Sequence, residues 1–204
     1  MAIAKTDIAG LILIGGDSTR MGRPKALVEM RGIPLWQRAV DTLGPFVNDI
    51  LFLGEVPGFE PPVGTRLVKD ARPGQGPLGG LLAGLSGSGY EHHLLLGVDY
   101  PLIRGAFIER LLDSADSQLA VCGKTSEALE PLVAYYHRDC MATIRTMLEE
   151  GETSAFRLFY RVASCIIPAS EMTKIDPAKW THFNVNTPAD LIEAESRLLS
   201  GYPL

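Results

Sequence analysis

The residues best suited to chemistry stand in three short segments. The first is GGDSTRMGRPK at 15–25. Gly15 and Gly16 let backbone N–H groups approach an anion with no Cβ in the way. Ser18 adds a hydroxyl donor, Arg20 a planar fork that suits two phosphate oxygens, and Lys25 a mobile point charge. Gly15, Gly16, Ser18, Arg20 and Lys25, all within eleven residues, predict a loop that cradles a triphosphate. It is not a P-loop, because Gly22 is followed by Arg-Pro-Lys and then Ala26, where that motif needs Gly-Lys-Ser/Thr.

The second segment is Asp99-Tyr100-Pro101, which closes the apolar run HLLLGV at 93–98. Pro101 holds the residue before it extended, and a carboxylate at such a strand end, facing a phosphate loop, suits Mg²⁺. That ion takes one or two carboxylates, keeps several waters and fills its shell with substrate phosphates. The third is Asp70, just ahead of RPGQGPLGG at 72–80; a second metal-side carboxylate and a contact to ribose or base both fit it. Within that loop G-x-G-x-x-G occurs at 74–79. It lies far from the first strand, contains a proline and has no acidic ribose partner at the end of a following strand, so a dinucleotide site is rejected. His92 and His93 are expected at the surface ahead of a strand, and His137 and His182 lack spaced ligand partners. Neither a Ser-His-Asp order nor a G-x-S-x-G elbow appears, which leaves acyl transfer unsupported.

These segments need a frame. Short apolar runs at 8–14, 49–54, 66–69, 93–98, 120–122, 132–136 and 162–167 read as buried strands. Helical spacing appears at Leu35, Trp36, Ala39, Val40 and Leu43, stopped by Gly44-Pro45, and again at 105–114, 138–149 and 188–199. A small-residue helix follows the loop at 72–80 and runs through Leu85, and Pro188 opens the last helix with Thr187 as its cap. Strands alternating with helices predict an α/β, Rossmann-like three-layer sandwich with a mostly parallel sheet. With no repeat or linker, one domain is expected over 1–204. In such sheets ligands sit beyond the carboxyl ends of the strands, and the loops after Ile14, Lys69 and Val98 all leave there.

Composition agrees with an ordinary globular chain: 204 residues, 46% hydrophobic, 21% charged and a net charge of −5. No run approaches the roughly 20 apolar residues of a membrane span, and with no basic stripe, nucleic-acid binding is not expected. The opening residues do not read as a secretory signal. Cys122, Cys140 and Cys165 are odd in number and widely spaced, which predicts reduced thiols and a cytoplasmic location.

Four of these segments resemble motifs of the molybdenum cofactor guanylyltransferase family, within the wider nucleotidyltransferases. LIGGDSTRMGRPKALVEMRGIPL (13–35) is similar to that family's phosphate loop and its following G-x-P-L, and GPLGGLLAGL (76–85) to its G-P-L-x-G segment. VDYPL (98–102) resembles its D-x-P metal strand, and FNVNTPADL (183–191) its closing N-x-N-T-P motif, the one most specific to molybdopterin enzymes. Ile14 stands where the family usually has Ala, and FLGEVP (52–57) lacks the asparagine often found there.

The resemblance implies transfer of GMP from GTP to the phosphate of Mo-molybdopterin, with pyrophosphate released. It places Leu13, Ile14, Gly15, Gly16, Ser18, Asp70 and Gly76 at the nucleotide, with Lys25 on its phosphates. Lys25, Arg20 and Asp99 become the catalytic set, Asp99 the Mg²⁺ ligand, and Asn184 and Asn186 the face toward the pterin. Molybdoenzymes or other cofactor-biosynthesis proteins become the partners. A cytidylyl or other nucleotidyl transferase, and a non-catalytic carrier of molybdopterin or nucleotide, are the alternatives.

Overall fold

The computed structural model describes residues 3–15, 21–69, 74–126 and 128–203. Gly16, Ser18, Arg20 and Asp70 therefore lie outside the described residues. Strand β1 (Ile8–Leu13) shows why the chain makes three layers. Successive side chains of a strand point to opposite faces. Accordingly Ile8 and Ile12 enter one core, while Ala9 and Leu11 enter another.

Two short strands, β2 (Glu29–Met30) and β3 (Ile33–Pro34), follow and pair as a hairpin. Its corner holds Arg31 at φ 54° and Gly32 at φ 76°, the two positive values that a tight hairpin turn requires. Helix α1 (Leu35–Leu43) buries Leu35, Ala39 and Leu43, one per turn. Strand β4 (Asp49–Leu53) splits its faces as β1 does, with Ile50 and Phe52 in the first core and Leu51 and Leu53 in the second. Strand β5 (Arg66–Val68) is short and leads to α2 (Gly76–Ser88). A Cβ on Gly84 of that helix would come within 3.1 Å of Leu11 and Leu53 side chains, so the missing side chain lets α2 lie close on β1 and β4.

Strand β6 (His92–Gly97) runs parallel to β1, and α3 (Gly105–Asp113) returns over the sheet. Strands β7 (Ala120–Lys124) and β8 (Leu129–His137) are joined by a connection too short for a crossover, and so pair antiparallel. After α4 (Cys140–Glu149) come β9 (Ser164–Ile167), α5 (Ala169–Ile175) and α6 (Pro188–Leu199). Among the described residues the main sheet has seven strands in the order β5-β4-β1-β6-β8-β7-β9. All neighbours are parallel except the two pairings of β8. Residues of α1, α3 and α6 join the core on one face, and residues of α2 and α4 fill the core on the other.

The expected architecture is present, with local differences. The hairpin β2–β3, α5 and a 3₁₀ turn at Ala155–Tyr160 carry too few residues for periodicity to show them. One expectation is corrected: His93 is fully buried, not at the surface. It belongs to β6, where its Nδ1 donates to the Tyr136 carbonyl at 3.3 Å and its Nε2 lies 2.5 Å from Ser88 Oγ. Enclosure pushes its pKa down to about 4.

Candidate active site

The carboxyl ends of β1, β4 and β6 open into a cleft of about 640 Å³, within the range that holds a small-molecule ligand. Leu13, Ile14 and Gly15 form one wall, Gly54 and Glu55 the next, and Gly74, Gly76 and Pro77 a third, with Lys25 and Asp99 beside them. The floor depends on two glycines in contact. Gly15 donates to the Leu53 carbonyl at 3.3 Å, and a Cβ on Gly54 would stand 2.9 Å from Gly15 Cα. Gly54 also has a φ of +106°, which an L side chain rarely adopts. At the third wall Gly76 and Pro77 open α2, whose N-cap residue Gln75 makes no side-chain cap bond among the described residues. Uncapped N–H groups and the helix dipole together favour an anion there.

Asp99 stands two residues beyond the end of β6, and its placement depends on a glycine that carries no motif in the sequence. A Cβ on Gly97 would lie 2.5 Å from Asp99 Oδ1, so a side chain there requires the carboxylate to move from this position. The Asp99 carbonyl accepts from Val185 N–H at 2.8 Å, which joins the FNVN segment to the strand end. Lys25 Nζ stands 3.4 Å from Asp99 Oδ2 and donates to Asn186 Oδ1 at 2.5 Å. Both charged side chains are mostly covered, at 16% and 18% exposure. Three residues from three distant parts of the chain thus form one cluster at the mouth of the cleft.

Asn186 is held by the cap of α6. Thr187 Oγ1 accepts from Asp190 N–H at 3.2 Å, while Asp190 Oδ2 accepts from the N–H groups of Asn186 and Thr187 at 2.9 and 2.8 Å. Asn184 faces the other way. It borders a second cavity of about 440 Å³ with Lys124, Glu130, Thr181 and His182. Its Oδ1 is buried without a hydrogen-bond partner, and so is His182 Nε2. Asn184 also hydrogen-bonds Tyr100, whose hydroxyl donates to Glu130 at 3.1 Å, and burial raises the Tyr100 pKa. Burial pushes the His182 pKa down to about 4.

Two further residues support this wall and carry no motif in the sequence. Buried Asp176 accepts from Trp180 N–H, Thr181 N–H and the Tyr202 hydroxyl at 2.6, 2.7 and 2.7 Å. Arg104 donates to the Ile175 carbonyl at 2.5 Å. Of the expected site, Leu13, Ile14, Gly15, Lys25, Gly76 and Asp99 line one cleft, Asn186 joins Lys25, and Asn184 lines the neighbouring cavity.

The donor set suits a hard cation. Asp99 offers a partly covered carboxylate, and phosphate and water oxygens complete an oxygen shell of the kind Mg²⁺ takes.

A mixed, mostly parallel α/β sheet with a glycine-walled cleft and a carboxylate–lysine pair at its strand ends defines a nucleotidyltransferase-type domain. Comparison with known proteins narrows the class. Residues 10–164 match the MobA-like NTP transferase domain, and the chain belongs to that family. It is 32% identical over 194 residues to a probable molybdenum cofactor guanylyltransferase from Bacillus licheniformis, covering 91% of this chain and 95% of that one. It is 26% identical over 196 residues to the molybdenum cofactor guanylyltransferase of Desulfosudis oleivorans, covering 95% and 97%. The fold superposes on molybdopterin-guanine dinucleotide biosynthesis protein A from Archaeoglobus fulgidus with a TM-score of 0.79 at 22% identity, over 94% of this chain and 99% of that one.

Proposed function

We propose that the protein is a molybdenum cofactor guanylyltransferase, acting as one domain over 1–204 and transferring GMP from GTP to the phosphate of Mo-molybdopterin. The observation that carries this reading is the cluster of Lys25, Asp99 and Asn186 at the mouth of the strand-end cleft. The nucleotide occupies the cleft walled by Gly15, Gly54 and Gly76, and the pterin takes the cavity beside Asn184. Lys124, Glu130, His182 and Asn184 give that second cavity polar residues for a substrate to meet. The names of the relatives supply the base and the acceptor.

In the proposed reaction a phosphate oxygen of the pterin attacks the α-phosphorus of GTP. A new P–O bond forms there as the bond to pyrophosphate breaks. That nucleophile is already ionised near neutral pH, so no general base is required. The work is positioning and charge stabilisation. Lys25 and Arg20 stabilise charge on the departing pyrophosphate, while Asn186 holds the Lys25 ammonium in place. Asp99 would hold Mg²⁺, which neutralises triphosphate charge when bound. Leu13, Ile14, Gly16, Ser18 and Asp70 contribute to the nucleotide side, and Asn184 and Asn186 to the pterin side. All three cysteines are free thiols, which suits a reducing cytoplasm, and no helix among the described residues is long and apolar enough to cross a membrane.

The test is a thermal-shift panel of GTP, CTP, ATP and UTP with and without Mg²⁺, followed by pyrophosphate release with Mo-molybdopterin. A ligand at a hundred times its Kd adds about 2.7 kcal/mol, a Tm rise of roughly 5 to 10 °C for a domain this size. A Mg²⁺-dependent shift with GTP alone and one pyrophosphate per pterin support the assignment. A CTP-selective shift makes the protein a cytidylyltransferase, and binding without pyrophosphate makes it a carrier.

A further inference from the structure

The opposite end of the sheet carries a second cluster that the transfer reaction does not use. His92 and His137 are directly paired residues on antiparallel β6 and β8. Directly paired residues share a face, so both imidazoles leave the sheet on one side, with ring centroids 5.3 Å apart. Glu91 adds a carboxylate, and one donor atom from each of the three lies within 4.8 Å of the others. An open cavity fronts the two histidines, with Asp7 and Asp116 also on its wall. The cluster is roughly 20 Å from Asp99, the length of β6.

We propose that Glu91, His92 and His137 bind a first-row divalent transition ion of the Zn²⁺ class, separate from the cation of the nucleotide cleft. Two imidazoles and a carboxylate are borderline ligands that prefer Zn²⁺, Co²⁺ or Ni²⁺ over Mg²⁺. Ligand atoms about 2.0 to 2.1 Å from a tetrahedral ion stand roughly 3.3 to 3.5 Å apart. All donor atoms lie within 4.8 Å of one another, so shifts of about 1.5 Å or less bring them to that spacing.

The neighbours of both rings suit the task. His92 Nδ1 lies 2.7 Å from the Tyr135 hydroxyl, a partner that fixes the ring and leaves Nε2 for the ion. His137 Nδ1 stands 3.4 Å from an Asp139 carboxylate oxygen. That nitrogen also accepts the Asp139 backbone N–H at 3.2 Å, so residue 139 fixes the orientation of the ring. An ion there links β6 to β8 where the sheet changes from parallel to antiparallel pairing.

The experiment is a titration of the full chain with Zn²⁺ and, separately, Co²⁺, in a large excess of Mg²⁺ that saturates the oxygen site. One equivalent of Co²⁺ is expected to give the strong visible bands of a four-coordinate ion. His92→Ala and His137→Ala are each expected to weaken Zn²⁺ binding by at least about a hundredfold, and Tyr135→Phe by about tenfold. Should a histidine variant fail to fold, imidazole NMR of the unaltered protein decides. Signals of His92 and His137 must respond to Zn²⁺ while those of His93 and His182 stay fixed. Zn²⁺ affinity unchanged in the folded variants, or no response at His92 and His137, overturns the site.

Discussion

Lys25 and Asn186, 161 residues apart in sequence, meet at 2.5 Å, and the lysine ammonium is thereby fixed 3.4 Å from the Asp99 carboxylate. Lysine carries a long side chain with several rotatable bonds, and holding it in one place costs entropy before any substrate binds. The Asn186 amide oxygen, itself positioned by the cap of α6, supplies that restraint in advance.

This arrangement separates the roles of the three residues. Lys25→Ala and Asp99→Ala are each expected to lower kcat by at least about a hundredfold, the scale of losing one preorganised electrostatic group. Asn186→Ala removes the hydrogen bond to the Lys25 ammonium, worth about 1.5 to 3 kcal/mol, and should lower kcat by about ten- to a hundredfold. Steady-state kinetics of pyrophosphate release give all three values, and wild-type turnover in Lys25→Ala or Asp99→Ala would refute the site.

Gly97 tests the placement of Asp99 without touching its chemistry. The methyl group of Gly97→Ala would arrive 2.5 Å from Asp99 Oδ1 and must displace the carboxylate. Expected is a rise in the concentration of Mg²⁺ needed for half-maximal rate, by about tenfold or more, corresponding to roughly 1.4 kcal/mol or more. A metal titration of activity, alongside a melting curve to confirm folding, shows whether the shift occurs.

His93 makes stability depend on pH. Its folded pKa of about 4 lies below the ordinary value of 6.5, because burial disfavours the charged ring. Below pH 6.5 the unfolded chain takes up a proton that the folded chain refuses, so stability falls with pH until about 4. The loss is on the order of 3 kcal/mol across that window. Urea unfolding of His93→Gln, which keeps a donor and an acceptor, should show a flatter profile between those pH values.

Thr187 is the cap that sets Asn186. Thr187→Ala removes the hydroxyl that accepts from Asp190 N–H and should cost about 1 kcal/mol of stability. For a chain of this size the expected Tm decrease is about 2 to 4 °C. A smaller loss measured by calorimetry would mean that the Asp190 carboxylate alone holds the helix start.

What the sequence determined is what depends on local order. Strand and helix periods mark most of the elements, and glycines and prolines mark their ends. Thus Gly15 and Lys25 fall in the loop segment after the first strand, and Asp99 at a strand end, on local sequence alone. Thr187 and Pro188 announced their helix because capping is a contact between neighbours. Tertiary structure decided what depends on direction and distance across the chain. The short connection from β7 reverses β8, but its place beside β6 is set by packing that no periodicity encodes. It also puts His92 opposite His137, 45 residues away in sequence. His93 looked like a surface residue because polar type is a weak guide once both faces of a strand are covered. The need for glycine at 97 and at 54 arises from a carboxylate and a backbone that approach through space. Contacts of this kind form when distant segments pack, and so they were legible only in the folded chain.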